Sequence, residues 1–173
     1  MTRTLVLAVM GLSVAAVSAP LAVHLPVRVI YNPSDSVARG WYRVEPVSDT
    51  RSLRVGDIVL APLPDTTAAL AAQRGYLPSG IPILKRIGAA APQLVCVRSG
   101  VVRIDGDIVA TARTLDGQRR PLQAWMQCRR LGVNEIFLLS DSSPASFDSR
   151  YFGPIFASAV HGVASPIWTW GAP

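Results

Sequence analysis

The chain has 173 residues, half of them apolar, and 17 Lys and Arg against 11 Asp and Glu give a formal charge of +6. That length and apolar share suit one compact domain with its own core. The positive charge is compatible with an anionic membrane surface, but the arginines are scattered and no basic run is interleaved with aromatics, which argues against nucleic acid as a partner.

In chain order the first element is apolar. No charged residue occurs from Leu5 to Val23, a span close to the roughly 20 residues that cross a bilayer as a helix. Arg3 precedes it. Ala16-Val17-Ser18-Ala19 offers small residues to a signal-peptide cleavage, yet Pro20 would stand directly after the cut, so a retained anchor over 1–25 is the preferred reading. Gly11 and Pro20 predict a tilted or kinked helix. The short basic N-terminus favours a cytoplasmic start, whereas Arg28, Arg39 and Arg43 oppose translocation of the rest of the chain.

Beyond the anchor, over 26–173, strands and turns dominate. Val27–Tyr31 reads as a strand ending at Asn32-Pro33. Arg54–Leu60 reads as a turn and a strand closed by Pro62 and Pro64. Ala-rich Thr66–Arg74 predicts one short helix. Ser99-Gly100 and Asp105-Gly106 between Val and Ile runs predict hairpins, and Asp116-Gly117 a further turn. Glu135–Leu139 reads as a buried strand, and the segment from Ala159 to Trp170 as the last one. Trp125, Trp168 and Trp170 suit either a membrane interface or core packing.

Chemistry concentrates at Lys85, the single lysine beside sixteen arginines. Lysine, unlike arginine, can lose its proton inside a fold. In the predicted strand Ile83-Leu84-Lys85-Arg86-Ile87, alternation puts Lys85 on the isoleucine face. Burial of that face would favour the neutral amine, a base able to take a proton from a hydroxyl. The hydroxyl is offered by Asn32-Pro33-Ser34-Asp35-Ser36-Val37, where two serines two residues apart suit one attacking group and one oxyanion donor. Taken alone, Ser-Asp-Ser is also ordinary turn chemistry. Cys96 and Cys128 are the only cysteines, and they read as a disulfide in an oxidising compartment or as two buried thiols. No metal ligand set and no cofactor are predicted. A Ser-His-Asp triad would need His24 or His161, neither in a catalytic context. A Ser-x-x-Lys enzyme is excluded because Ser36 and Lys85 lie far apart. Asp57 and Asp141 read as turn formers rather than an acid pair.

Four ordered blocks behind the anchor carry a family resemblance. They are Pro33-Ser34-Asp35-Ser36-Val37, Val55-Gly56-Asp57-Ile58-Val59, Leu84-Lys85-Arg86-Ile87, and Leu138-Leu139-Ser140-Asp141 with Ser146-Phe147-Asp148-Ser149-Arg150-Tyr151-Phe152-Gly153. Together they resemble the membrane-bound Ser/Lys signal peptidases, and more closely the TraF-type conjugative-transfer peptidases. Asp35 and Ser140 stand where the general secretory enzymes usually carry glycine, and Val37 where they carry methionine.

The resemblance implies a mainly β fold: a signal-peptidase-like β-barrel or sandwich catalytic domain in the periplasm, behind one N-terminal transmembrane helix in the bacterial inner membrane. It implies Ser36 as nucleophile and Lys85 as general base. Ser34 and the Ser36 backbone N–H would form the oxyanion hole, and Ser146 would orient the lysine. Asp148, Arg150 and Asp141 would support the active-site loop. It also implies a Cys96–Cys128 disulfide. The expected activity is cleavage, or cyclisation, of a membrane-embedded pilin precursor through an acyl-enzyme. A general secretory signal peptidase acting on signal-peptide-bearing proteins is the first alternative. An inactive membrane-anchored assembly factor that docks other conjugative transfer proteins is the second.

Overall fold

The computed structural model describes residues 3–22, 28–140 and 143–170, with side chains of the first helix described for residues 5–14. Arg3–Ala22 forms helix α1, 20 residues long, and continuous despite Gly11 and Pro20. Its described apolar side chains are exposed, Leu7, Leu12 and Val14 among them. Among the described residues no helix is long and apolar enough to cross a membrane. The fold thus bears out a helix at this place, and the membrane span remains an expectation.

The remainder is mainly β, as expected. Strands β1 (Arg28–Asn32), β2 (Arg39–Glu45), β3 (Ile58–Ala61), β4 (Ile83–Ala90), β9 (Glu135–Leu139), β10 (Ile155–Phe156) and β11 (Gly162–Trp170) build one seven-stranded sheet. Its order is β1-β2-β11-β3-β4-β9-β10, antiparallel throughout. Strands β5 (Leu94–Arg98), β6 (Val101–Ile104), β7 (Asp107–Thr111) and β8 (Cys128–Arg130) build a second sheet in the order β7-β6-β5-β8. Two short helices complete the fold, α2 (Asp65–Gln73) and α3 (Ser149–Phe152).

The hairpins form where the sequence places them. Ser99 and Gly100 link β5 to β6 with φ of 49° and 76°, and Asp105 and Gly106 link β6 to β7 with φ of 52° and 103°. Two successive positive φ values match the right-handed twist of the flanking strands, and Gly adopts them without a Cβ penalty.

The core explains why β9 reads as an unbroken apolar run. Ile136 and Leu138 pack with Val59, Ala61 and Ile87. Phe137 and Leu139 face the other way, onto Val95, Val97, Val102 and Ile104 of the small sheet. A strand covered on both faces has no polar alternation to show. A third cluster, Val37, Tyr42, Val44, Leu60, Leu84 and Ala164, seals β2, β3 and β11 and seats the chain just after Ser36.

In β2 the inward residues are Gly40, Tyr42 and Val44, while Trp41 points outward. A glycine inside and a tryptophan outside hide the alternation, so sequence patterning does not reveal this strand. Strand β8 has three residues and depends on its partner. Its Cys128 lies opposite Cys96 of β5, and the two form a disulfide. Of the tryptophans that suit either an interface or the core, Trp125 packs on Phe137 at 5.7 Å between centroids, whereas Trp168 and Trp170 are exposed.

Candidate active site

The turn from Asn32 to Ala38 joins β1 to β2 and is closed by one side chain. Asn32, itself buried, donates from Nδ2 to the carbonyls of Ser34, Val37 and Ala38 at 2.9, 3.2 and 3.1 Å. Its Oδ1 accepts from the Ser34 backbone N–H at 3.2 Å and from Ser34 Oγ at 2.9 Å. Ser34 Oγ and Ser36 Oγ are 2.7 Å apart. A serine hydroxyl has one proton to donate. With the Ser34 proton directed to Asn32, the proton between the two serines comes from Ser36.

Lys85 occupies the middle of β4, paired with Val59 of β3. It is 4% exposed, and Ile87 on the same face is 1% exposed. Its Nζ donates to Ser146 Oγ at 2.5 Å. Ser146 sits in the loop before α3, and that loop is organised by an ion pair. The Arg150 guanidinium meets the Asp148 carboxylate at 2.7 and 2.8 Å, with both residues buried. The same guanidinium donates to the carbonyls of Ser146 at 2.8 Å, Pro144 at 3.2 Å, Ser143 at 3.3 Å and, in β7, Thr111 at 2.8 Å. Burial works against the Arg150 cation, but its hydrogen bonds to Asp148 and the carboxylate's charge outweigh that, and its pKa is raised. The guanidinium stays charged, and four carbonyls gain a permanent donor.

Two further serines tie the halves together. Ser140 Oγ donates to the Ser36 carbonyl at 2.9 Å and accepts from the Ser143 N–H at 3.1 Å. Ser149 Oγ, fully buried, accepts from the Leu138 N–H at 2.9 Å and fastens α3 to β9.

Ser34, Ser36, Lys85 and Ser146 line one cavity of about 590 Å³. Its apolar wall includes Leu60, Leu63, Ile83 and Leu84, and the aromatic rings of Tyr76 and Phe147 stand 5.2 Å apart beside them. Asp148 and Arg150 stand behind the loop. Asp141 lies outside the described residues, as does His24. His161 is exposed and does not line the cavity. The Asp57 carboxylate accepts from the Arg54 N–H at 2.8 Å and serves a turn. Sequence reasoning gives Asn32, Ser140 and Ser149 no role of their own. Asn32 stands inside the serine cluster, and Ser140 replaces a family glycine; these are the available signals.

Comparison with known proteins places the chain in a family. The family model described as signal peptidase, peptidase S26, matches residues 1–170. A probable conjugal transfer protein TraF of Sinorhizobium fredii is 36% identical over 153 residues, covering 83% of this chain and 77% of that protein. The conjugal transfer protein TraF of Agrobacterium fabrum is 33% identical, covering 82% of each. The plasmid transfer protein TraF of Escherichia coli is 35% identical over 109 residues, and the match spans 58% of this chain and 61% of that protein's length. A signal peptidase I of Enterococcus faecalis superposes over 65% of this chain and 96% of its own, at 22% identity and a TM-score of 0.40. The chain therefore belongs to the signal peptidase family, peptidase S26, among its TraF-type members.

Proposed function

We propose that the chain is a serine endopeptidase that processes a conjugative pilin precursor at the periplasmic face of the inner membrane, held there by α1. The observation that carries this reading is a buried amine bonded to a neutral hydroxyl, Lys85 Nζ to Ser146 Oγ at 2.5 Å, in the same cavity as the Ser34–Ser36 pair. Burial disfavours the charged form of an amine, and Ser146 offers an oxygen that orients Lys85 without adding negative charge. Conjugal transfer is the process named for the TraF relatives, and a pilin precursor is a substrate of that setting.

The Ser36 hydroxyl turns its proton from Ser34 to the neutral Lys85 Nζ, which takes it as Ser36 Oγ attacks the carbonyl carbon of the scissile peptide. The tetrahedral oxyanion is held by the Ser36 backbone N–H and by Ser34 Oγ–H, which turns away from Asn32 to reach it. The C–N bond breaks, and Lys85 returns the proton to the leaving amine. The acyl-Ser36 ester is resolved by water, giving a linear product, or by the amine of the pilin's own N-terminus, giving a cyclic one. An anchor confines enzyme and precursor to one plane and raises their effective concentration.

The test is intact-mass spectrometry of a co-expressed pilin precursor with wild type, Ser36→Ala and Lys85→Ala. Processing should fall by about a thousandfold or more in each variant, with circular dichroism unchanged. A product lighter than the linear fragment by one water reports cyclisation. Undiminished processing in either variant would overturn the dyad and favour an assembly role.

A further inference from the structure

One wall of the cavity carries more positive charge than the proposed chemistry uses. It is formed by the chain around Arg74 and by the loop between β7 and β8, which together contribute Arg74, Arg113, Arg120 and one carboxylate, Asp116. Asp116 is committed. It accepts from Tyr76 Oη at 2.5 Å, from Arg120 Nε at 2.7 Å and from the backbone N–H groups of Gln118 and Arg120 at 2.9 Å each, and Arg74 stands 3.8 Å away. One negative charge thus faces two guanidinium groups. Asp35, the other carboxylate among the described lining residues, is held by Arg39 through two bonds of 2.6 and 2.7 Å.

Arg113 differs from its neighbours. Among the described residues its guanidinium has no hydrogen-bond or ion-pair partner, and the residue is exposed. Its backbone, in contrast, is fixed next to the proposed machinery. The Arg113 N–H donates to Tyr151 Oη at 3.0 Å, and two residues earlier the Thr111 carbonyl accepts from Arg150. The residues that hold the Ser146 loop therefore also place Arg113 at the cavity wall. An unpaired cation on a fixed backbone, beside surplus positive charge in a cleft with apolar walls, produces a focused positive potential.

We propose that Arg113 is the centre of a carboxylate-binding subsite that selects a peptide segment bearing an Asp or Glu side chain, or a terminal carboxylate, at a fixed distance from the bond to be cut. The distance to a cut bond rests on the peptidase reading, whereas carboxylate binding at Arg113 does not depend on it. Selection of a charge on the substrate also complements apolar contacts, which discriminate small side chains only weakly.

The probe is a set of alanine- and leucine-rich decapeptides in which one Glu is walked along the sequence, each with a Gln twin, and each made with a free and an amidated C-terminus. Binding to the full-length Ser36→Ala chain in detergent is read by fluorescence polarisation. At one position Glu should bind about five- to tenfold more tightly than Gln. Arg113→Gln should abolish that ratio while Gln-peptide affinity holds, Arg113→Glu should transfer the preference to a Lys twin, and added salt should shrink it. A preference that follows the free C-terminus assigns the terminal carboxylate as the ligand. Equal binding of Glu and Gln twins at every position and of both C-terminal forms, binding of no peptide at all, or a ratio unmoved by Arg113→Gln would overturn the subsite. Turnover of the same peptides by wild type separates the two readings. Selective binding without cleavage would sink the peptidase and leave the subsite, whereas cleavage indifferent to Glu would sink the subsite and leave the peptidase.

Discussion

Asn32 shows how much a single amide can hold. Its three donated bonds draw the carbonyls of Ser34, Val37 and Ala38 around one point, and its Oδ1 sets the rotamer of Ser34. Asn32→Ala would take this donor from the carbonyl of the fully buried Val37, a loss of about 1–3 kcal/mol, measurable by urea denaturation. The rate should fall more steeply than stability, because the Ser34–Ser36 spacing is lost with the turn. Asn32→Asp should be no better, since it replaces the donor with negative charge facing three carbonyl oxygens. Lys85 stands out in the sequence as the single lysine, and Ser36 through the family resemblance of its block. Asn32 is legible only as a loop former, because its role depends on which carbonyls the turn brings within reach.

Among the elements, the loop before α3 depends on Arg150. Removing one member of a buried ion pair leaves the other uncompensated, so Arg150→Ala should lower stability by about 3–5 kcal/mol in a denaturant titration. Arg150→Lys should recover charge but not the planar fork that reaches Asp148 and the Ser146 carbonyl together. The β7–β8 loop has a different brace. Asp116, its side chain 4% exposed, is opposed by burial, but the bonds from Tyr76, Arg120 and the backbone prevail and hold its pKa well below the usual carboxylate range. Its folded pKa lies below the unfolded value near 3.9, so its contribution is complete above about pH 4 and is lost as pH falls through that value toward the folded pKa. Thermal melts across that acid range should show a drop in wild type that is reduced in Asp116→Asn, which is itself less stable at pH 7. If both lose stability in parallel, the brace lies elsewhere.

At the scale of the whole molecule, the small sheet packs on one face of β9 of the large sheet, and a covalent link fastens the smaller sheet. The disulfide closes a loop across a sequence separation of 32, for which chain entropy gives about 3–4 kcal/mol of stabilisation. Cys96→Ser with Cys128→Ser should lower the midpoint accordingly in a chemical denaturation series under non-reducing conditions, and reductant should do the same to wild type alone. The loss should reach the site, because the chain entering β8 carries Trp125, whose backbone N–H donates to the Arg150 carbonyl at 2.8 Å.

What the sequence determined by itself was local or chemical in kind. The hairpins at Ser99-Gly100 and Asp105-Gly106 follow from residues that accept positive φ. Strand β9 follows from an apolar run, and attention to Lys85 from its being the one lysine beside sixteen arginines. Helix α2 lies one residue from its expected bounds, at Asp65–Gln73, because its alanines state their preference without help. Tertiary structure decided the rest. Strand β2 hides its alternation behind Gly40 and Trp41, and the three residues of β8 are a strand only because β5 lies beside them. The bond from Ser140 to the Ser36 carbonyl spans 104 residues of sequence, and Lys85 meets Ser146 across 61. Such contacts arise from closing long loops around a buried layer, and no window of sequence contains both partners.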